Sequence, residues 1–133
     1  MKFLKLFLFI FFTISCLTSY SQSSMSDWTF LKDCKLKYLD TEDTTAYVVI
    51  KNNHQTEYHE NGKYFIKSTI KWFNEREYYM TMTEITLPDF PYSPGEKMKV
   101  KFDKIEKDTI YCTTIVRGNI YKGSFKILAS SSQ

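Results

Sequence analysis

The chain has 133 residues, with 18 Lys and Arg against 15 Asp and Glu, a net charge of +3, 17% aromatic residues and only four glycines. That length supports one hydrophobic core and not two. A charge so near balance argues against nucleic-acid binding, which rests on clustered Lys and Arg in excess, and no glycine-rich phosphate loop is present.

At the start, Met1, Lys2 and Lys5 form a short positive segment. Leu6 to Ile14 form an apolar run and Ser15 to Ser21 a small, polar exit, which is the pattern of an export signal over residues 1–21. The run is too short for a membrane-spanning helix, which needs about 20 residues. Ser19 and Ser21 suit cleavage that leaves Gln22 first. Thr13-Ile14-Ser15-Cys16 instead resembles a lipobox, with a signal over 1–15 and Cys16 acylated, so that the protein would touch the membrane only through that lipid. On both readings residues 22–133 form a single β domain outside the cytoplasm, in the periplasm, in the extracellular medium or lipid-anchored at the envelope. Loss of Lys2 and Lys5 lowers the charge from +3 to +1. Cys34 and Cys112 remain as a candidate disulfide in an oxidising compartment, worth about 4 kcal/mol in the chain-entropy model. Two separately buried thiols are the open alternative.

Beyond the signal, a turn is expected near Ser26 to Leu31, then strands. Lys35 to Leu39 comes first, followed by Thr45 to Lys51, the pair Asn52-Asn53, and His54 to Glu60. Asn61-Gly62 is the preferred pair of a type I′ hairpin turn, and it leads into Lys63 to Phe73. There Tyr64, Ile66, Ser68, Ile70 and Trp72 alternate with lysines and Thr69. Tyr78, Met80 and Met82 alternate with Glu77, Thr81 and Thr83. Leu87 to Gly95 holds all three prolines and is the one long loop. Lys97 to Ile105, Thr109 to Val116 and Ile120 to Leu128 complete eight strands. The predicted fold is all-β: a single antiparallel up-and-down meander that closes into a small barrel or stays a strongly curved sheet.

The candidate sites follow from that alternation. Trp72, Tyr78, Met80 and Met82 share the inner face of adjacent strands. They either line a site for a small apolar ligand, which an eight-stranded barrel can hold, or fill the core themselves. Phe90 and Tyr92, in a loop long enough to be functional, are candidates for contact with an envelope protein or glycan, with Tyr47, Tyr79 and Tyr111 on the outer parity; the alternative is a cap over one barrel mouth. His54 and His59, five apart, point to opposite faces of a strand, so no metal site is expected. Glu77 and Glu84 have opposite parity, and no nucleophile with a matched base appears, so neither an enzymatic activity nor a cofactor is expected.

Tyr38-Leu39-Asp40, Gln55-Thr56-Glu57, Trp72 to Met80 (WFNEREYYM), Pro88 to Pro91 and Gly95 together resemble a group of short exported proteins of flavobacteria and their relatives. The resemblance covers most of residues 22–133 and implies a small β domain outside the cytoplasm, with no activity attached. The wider fold-level similarity is to lipocalin-like barrels. The expected function is therefore a non-enzymatic binding module for a small apolar ligand or an envelope partner, with an interaction or inhibitor domain acting through residues 87–95 as the alternative.

Overall fold

The computed structural model describes residues 27–130; the export signal expected over residues 1–21, and Cys16, lie outside the described residues. A 3-10 turn at Thr29–Lys32 precedes eight strands: β1 (Asp33–Tyr38), β2 (Tyr47–Lys51), β3 (His54–His59), β4 (Tyr64–Asn74), β5 (Glu77–Ile85), β6 (Lys97–Glu106), β7 (Thr109–Val116) and β8 (Asn119–Ser130). Each strand pairs antiparallel with the next, and β1 also pairs with β8, so the meander closes into a barrel in chain order. Closure removes the two rows of unpaired N–H and C=O groups that an open sheet would expose. Register shifts at Lys35/Leu36, Lys67/Ser68, Trp72/Asn74 and Phe102/Lys104 supply the bends that curl the strands.

Period-two alternation decides which residues face inward. Leu36, Val48, Ile50, Ile66, Tyr78, Met82, Val100, Phe102 and Ile110 are buried, while Lys67, Lys71, Lys97 and Lys101 are exposed. The turns follow residue chemistry. Asn52 (φ 51°) and Asn53 (φ 58°) form the tight β2–β3 hairpin, and Arg117 (φ 50°) with Gly118 (φ 76°) forms the β7–β8 one.

The β3–β4 connection departs from the two-residue turn expected at Asn61-Gly62. Pairing stops at His59 and Tyr64, and Glu60, Asn61 and Gly62 all have positive φ in a four-residue loop. Side chains from the β1–β2 connection take over the backbone donors there. Asp43 Oδ2 accepts from the Glu60 N–H at 2.8 Å, and Thr45 Oγ1 accepts from the Asn61 N–H at 2.9 Å.

An up-and-down order sets the β1–β2, β3–β4, β5–β6 and β7–β8 connections at one mouth and the remaining connections at the other. The second mouth is closed by the 3-10 turn, where Leu31 is 0% and Trp28 8% exposed. Arg76, in the β4–β5 hairpin, lies over the Trp28 ring at 5.7 Å.

Cys34 and Cys112 are free thiols, so the candidate disulfide is absent. The reason is topological: β8 lies between β1 and β7, which sets the backbones two strand spacings apart, about 10 Å. A bridge needs Cα atoms within about 7 Å. The sites also differ in height, since Cys34 pairs with Ser130 and Cys112 with Gly123. Cys34 Sγ turns instead to the Leu31 carbonyl at 3.5 Å. Burial pushes the Cys34 thiol up to about 12 and the Cys112 thiol up to about 11. Because the thiolate is the reacting form, native protein is expected to resist iodoacetamide at both positions near neutral pH. In denaturant both are expected to alkylate without reductant, checked by peptide mass spectrometry; a pair that needs reduction first contradicts the free-thiol arrangement.

Candidate functional site

The barrel is not filled to its axis. A cavity of about 420 Å³ lies between the inner faces of the strands. Aliphatic side chains of β1 and β2 (Leu36, Val48 and Ile50) form one wall, and Met80, Met98, Val100, Phe102 and Phe125 form much of the other. Of the four residues expected at a ligand site, Tyr78 and Met80 line this cavity, whereas Trp72 and Met82 do not. Trp72 sits edge-on to Tyr78 at 4.7 Å, near the β4–β5 hairpin. Met82 is 1% exposed, and its backbone is bonded to Gly95 and Glu96 at the foot of the long loop. Those two residues pack the core.

Part of the polar lining, Gln55 and Glu57, comes from β3, and alternation alone does not reveal it. His54, Thr56 and Tyr58 occupy one parity and Gln55, Glu57 and His59 the other, so neither face of β3 reads as apolar. The signal was nonetheless present: a two-residue turn at Asn52-Asn53 sets Gln55 opposite Ile50 and Glu57 opposite Val48, hence on the inner face. Gln55 is 6% exposed and accepts a hydrogen bond from the Tyr78 hydroxyl through Oε1. Glu57 Oε1 accepts from the Tyr38 hydroxyl at 2.5 Å. Burial holds both phenols well above their ordinary pKa, so they stay protonated donors.

Behind Glu57, His59 makes two electrostatic contacts on opposite ring nitrogens, Nε2 to Glu57 at 3.6 Å and Nδ1 to Asp43 at 3.7 Å. The Glu57 carboxylate raises the His59 pKa, against an opposing effect of burial. The two carboxylates diverge from the ring, so they cannot meet on one ion, and no group of three metal-ligating side chains occurs among the described residues. His54 stays exposed, with Nδ1 at 2.7 Å from the Asn52 carbonyl. Glu77 and Glu84 pair separately, with Lys101 at 4.0 Å and Lys67 at 3.5 Å.

Asp43 organises this corner of the barrel. Hydrogen bonds from Thr45, then from the Glu60 and Thr45 N–H groups, hold its carboxyl down to about 2. A depressed carboxyl stabilises the fold above its unfolded value, about 3.9, and that contribution disappears as the pH falls through the folded value. Asp43→Ala is therefore expected to lower the urea midpoint near neutral pH, with the gap to wild type shrinking as the pH falls toward 2. A gap independent of pH would show that the charged form of Asp43 is not what matters.

Loop 87–95 lies over the mouth at the Glu57 side. Phe90, Pro91 and Tyr92 line the cavity, as does Tyr121 of β8. Phe90 meets Tyr92 edge-on at 5.4 Å, and the Tyr92 hydroxyl donates to that of Tyr121 at 3.4 Å. Arg117 lies over the Tyr92 ring at 5.1 Å and pairs with Glu96 at 2.5 Å. Phe90 and Tyr92 are half-buried, facing the interior rather than solvent. Tyr47, Tyr79 and Tyr111 stand on β2, β5 and β7, spaced around the barrel, and do not extend this loop into one patch. Tyr47 stacks on Tyr58, Tyr79 lies tilted against Phe73, and Tyr111 lies under Lys104. No protein-family model, curated protein or solved structure matches this chain.

Proposed function

We propose that this chain is an exported, non-enzymatic binding module whose barrel holds one small, largely apolar ligand. The observation that carries this reading is the cavity of about 420 Å³, apolar on most of its wall, with a few fixed polar groups at one side. Small-molecule sites share that size, about 300–1,000 Å³, and that composition. Three of the groups that line it, the Tyr38 and Tyr78 hydroxyls and the Cys112 thiol, are held in their protonated forms by burial, which suits hydrogen bonding better than nucleophilic attack. Loop 87–95 then serves as a lid. Its inward-facing Phe90 and Tyr92 favour this role over that of a surface for an envelope partner.

A neutral, polarity-sensitive naphthalene dye tests the reading. Its emission is expected to rise and shift to the blue in a saturable, one-to-one titration. Thr114→Phe, which places a ring where a half-buried Thr lines the cavity, is expected to weaken the dye by about tenfold or more through occupied volume. Absence of saturable binding to the wild-type protein sinks the proposal.

A further inference from the structure

We infer that the ligand carries a cationic amine head, which seats on Glu57; this rests on the cavity reading above. The first observation is the charge of the lining. Among the described residues, Glu57 is the one formally charged side chain that lines the cavity, and no Lys or Arg lines it.

The second observation is that the carboxylate is only partly satisfied. Its side chain is 14% exposed. Oε1 accepts from Tyr38 at 2.5 Å, while Oε2 receives no hydrogen bond from any described residue. A carboxylate can accept about four hydrogen bonds, so Glu57 keeps accepting capacity that a donor on the ligand can use. A charged donor makes the stronger bond to it.

Neutralisation by His59 does not remove the preference. Asp43 lies at 3.7 Å on the far side of the imidazole, so Glu57, Asp43 and a protonated His59 together still carry a net negative charge. With His59 neutral the cluster is more negative. A carboxylate ligand would therefore meet like charge at this side of the cavity. Aromatic faces complete the setting: the Tyr38 ring, fixed by its bond to Glu57, lies 4.6 Å from that of Phe125, and both line the cavity. Such faces favour an ammonium group. The folded protein already holds Glu57 largely out of water, so binding adds only the desolvation of the ligand's own head.

Octylamine, octanol and octanoate share one chain and differ in the head, so their apolar contributions match. Each is titrated against the bound neutral dye near neutral pH. Octylamine is expected to displace the dye at about one tenth the concentration of octanol, with octanoate the weakest. In Glu57→Gln the advantage of amine over alcohol is expected to collapse, whereas in Tyr38→Phe, which frees Oε1 as well, it persists or grows. Equal displacement by amine and alcohol, a lead by octanoate, or an amine advantage that survives Glu57→Gln overturns the inference. The wild-type series decides the matter even where a variant does not fold. If the dye itself does not bind, the cavity reading falls and this inference with it; if the dye binds but head charge does not rank the competitors, only the amine head falls.

Discussion

Phe102→Ala is expected to destabilise the barrel by about 3–5 kcal/mol, the range for removing a buried phenyl ring. Phe102 is 1% exposed, and its ring lies 6.0 Å from that of Tyr78 across the inner faces of β6 and β5. It also lines the existing cavity, so the space left by the ring joins a void that the strands already hold open. The site therefore has little means of collapsing to recover contacts, which places the effect toward the upper end of the range. Native domains have about 5–15 kcal/mol in total, so the variant would be marginal. Urea unfolding followed by far-UV circular dichroism measures it. A loss below about 1 kcal/mol would mean that the ring does not pack tightly against its neighbours in this wall.

Leu31→Ala is the second large effect, about 2–5 kcal/mol. Leu31 is fully buried although it belongs to a four-residue 3-10 turn rather than to a strand. Its side chain, with that of Trp28, closes the mouth opposite the long loop. Loss of the side chain exposes the floor of the barrel, so Trp28 should gain solvent contact and the tryptophan emission should shift to the red at low urea. The two readouts separate distinct causes. Destabilisation with unchanged emission would mean that the plug stays seated and only packing is lost, whereas a red shift without destabilisation would show that the barrel does not depend on its plug.

These two residues also mark how far local sequence signals reach. Phe102 is legible from the sequence, since it alternates with Met98 and Val100 against Lys97, Lys99 and Lys101, and that period-two pattern is a property of a few neighbouring residues. Leu31 is only half legible: a turn near Ser26 to Leu31 is readable, but not that it plugs the barrel, because burial of a turn depends on what lies beneath it. The same division runs through the site. Tyr78 and Met80 share an inner face by simple parity and do line the cavity, whereas Trp72 and Met82 share that parity and do not, although Trp72 is the register partner of Tyr78. Parity reports the face of a sheet and not which inward side chains border the unfilled space.

Glu57 is the most consequential residue that alternation misses. Both faces of β3 are polar or aromatic, and only pairing with β2 through the Asn52-Asn53 turn turns Gln55 and Glu57 inward. Cys34 and Cys112 show the opposite error. Their shared parity with apolar neighbours correctly places them inside, yet the intervening strand β8 keeps the backbones apart, and that separation exists only once β1 has paired with β8.

What the sequence by itself determines is therefore the all-β class, the eight strands in an up-and-down order, the positions of most turns and the inward set of apolar residues. These depend on side-chain alternation and turn chemistry, which act over a few residues. Closure of the sheet, the volume left unfilled, the turn that closes one mouth, the loop over the other and the inward carboxylate were decided by tertiary structure. Each depends on contacts between residues distant in the chain, above all on the pairing of β1 with β8, and no local pattern encodes the space that such pairing encloses.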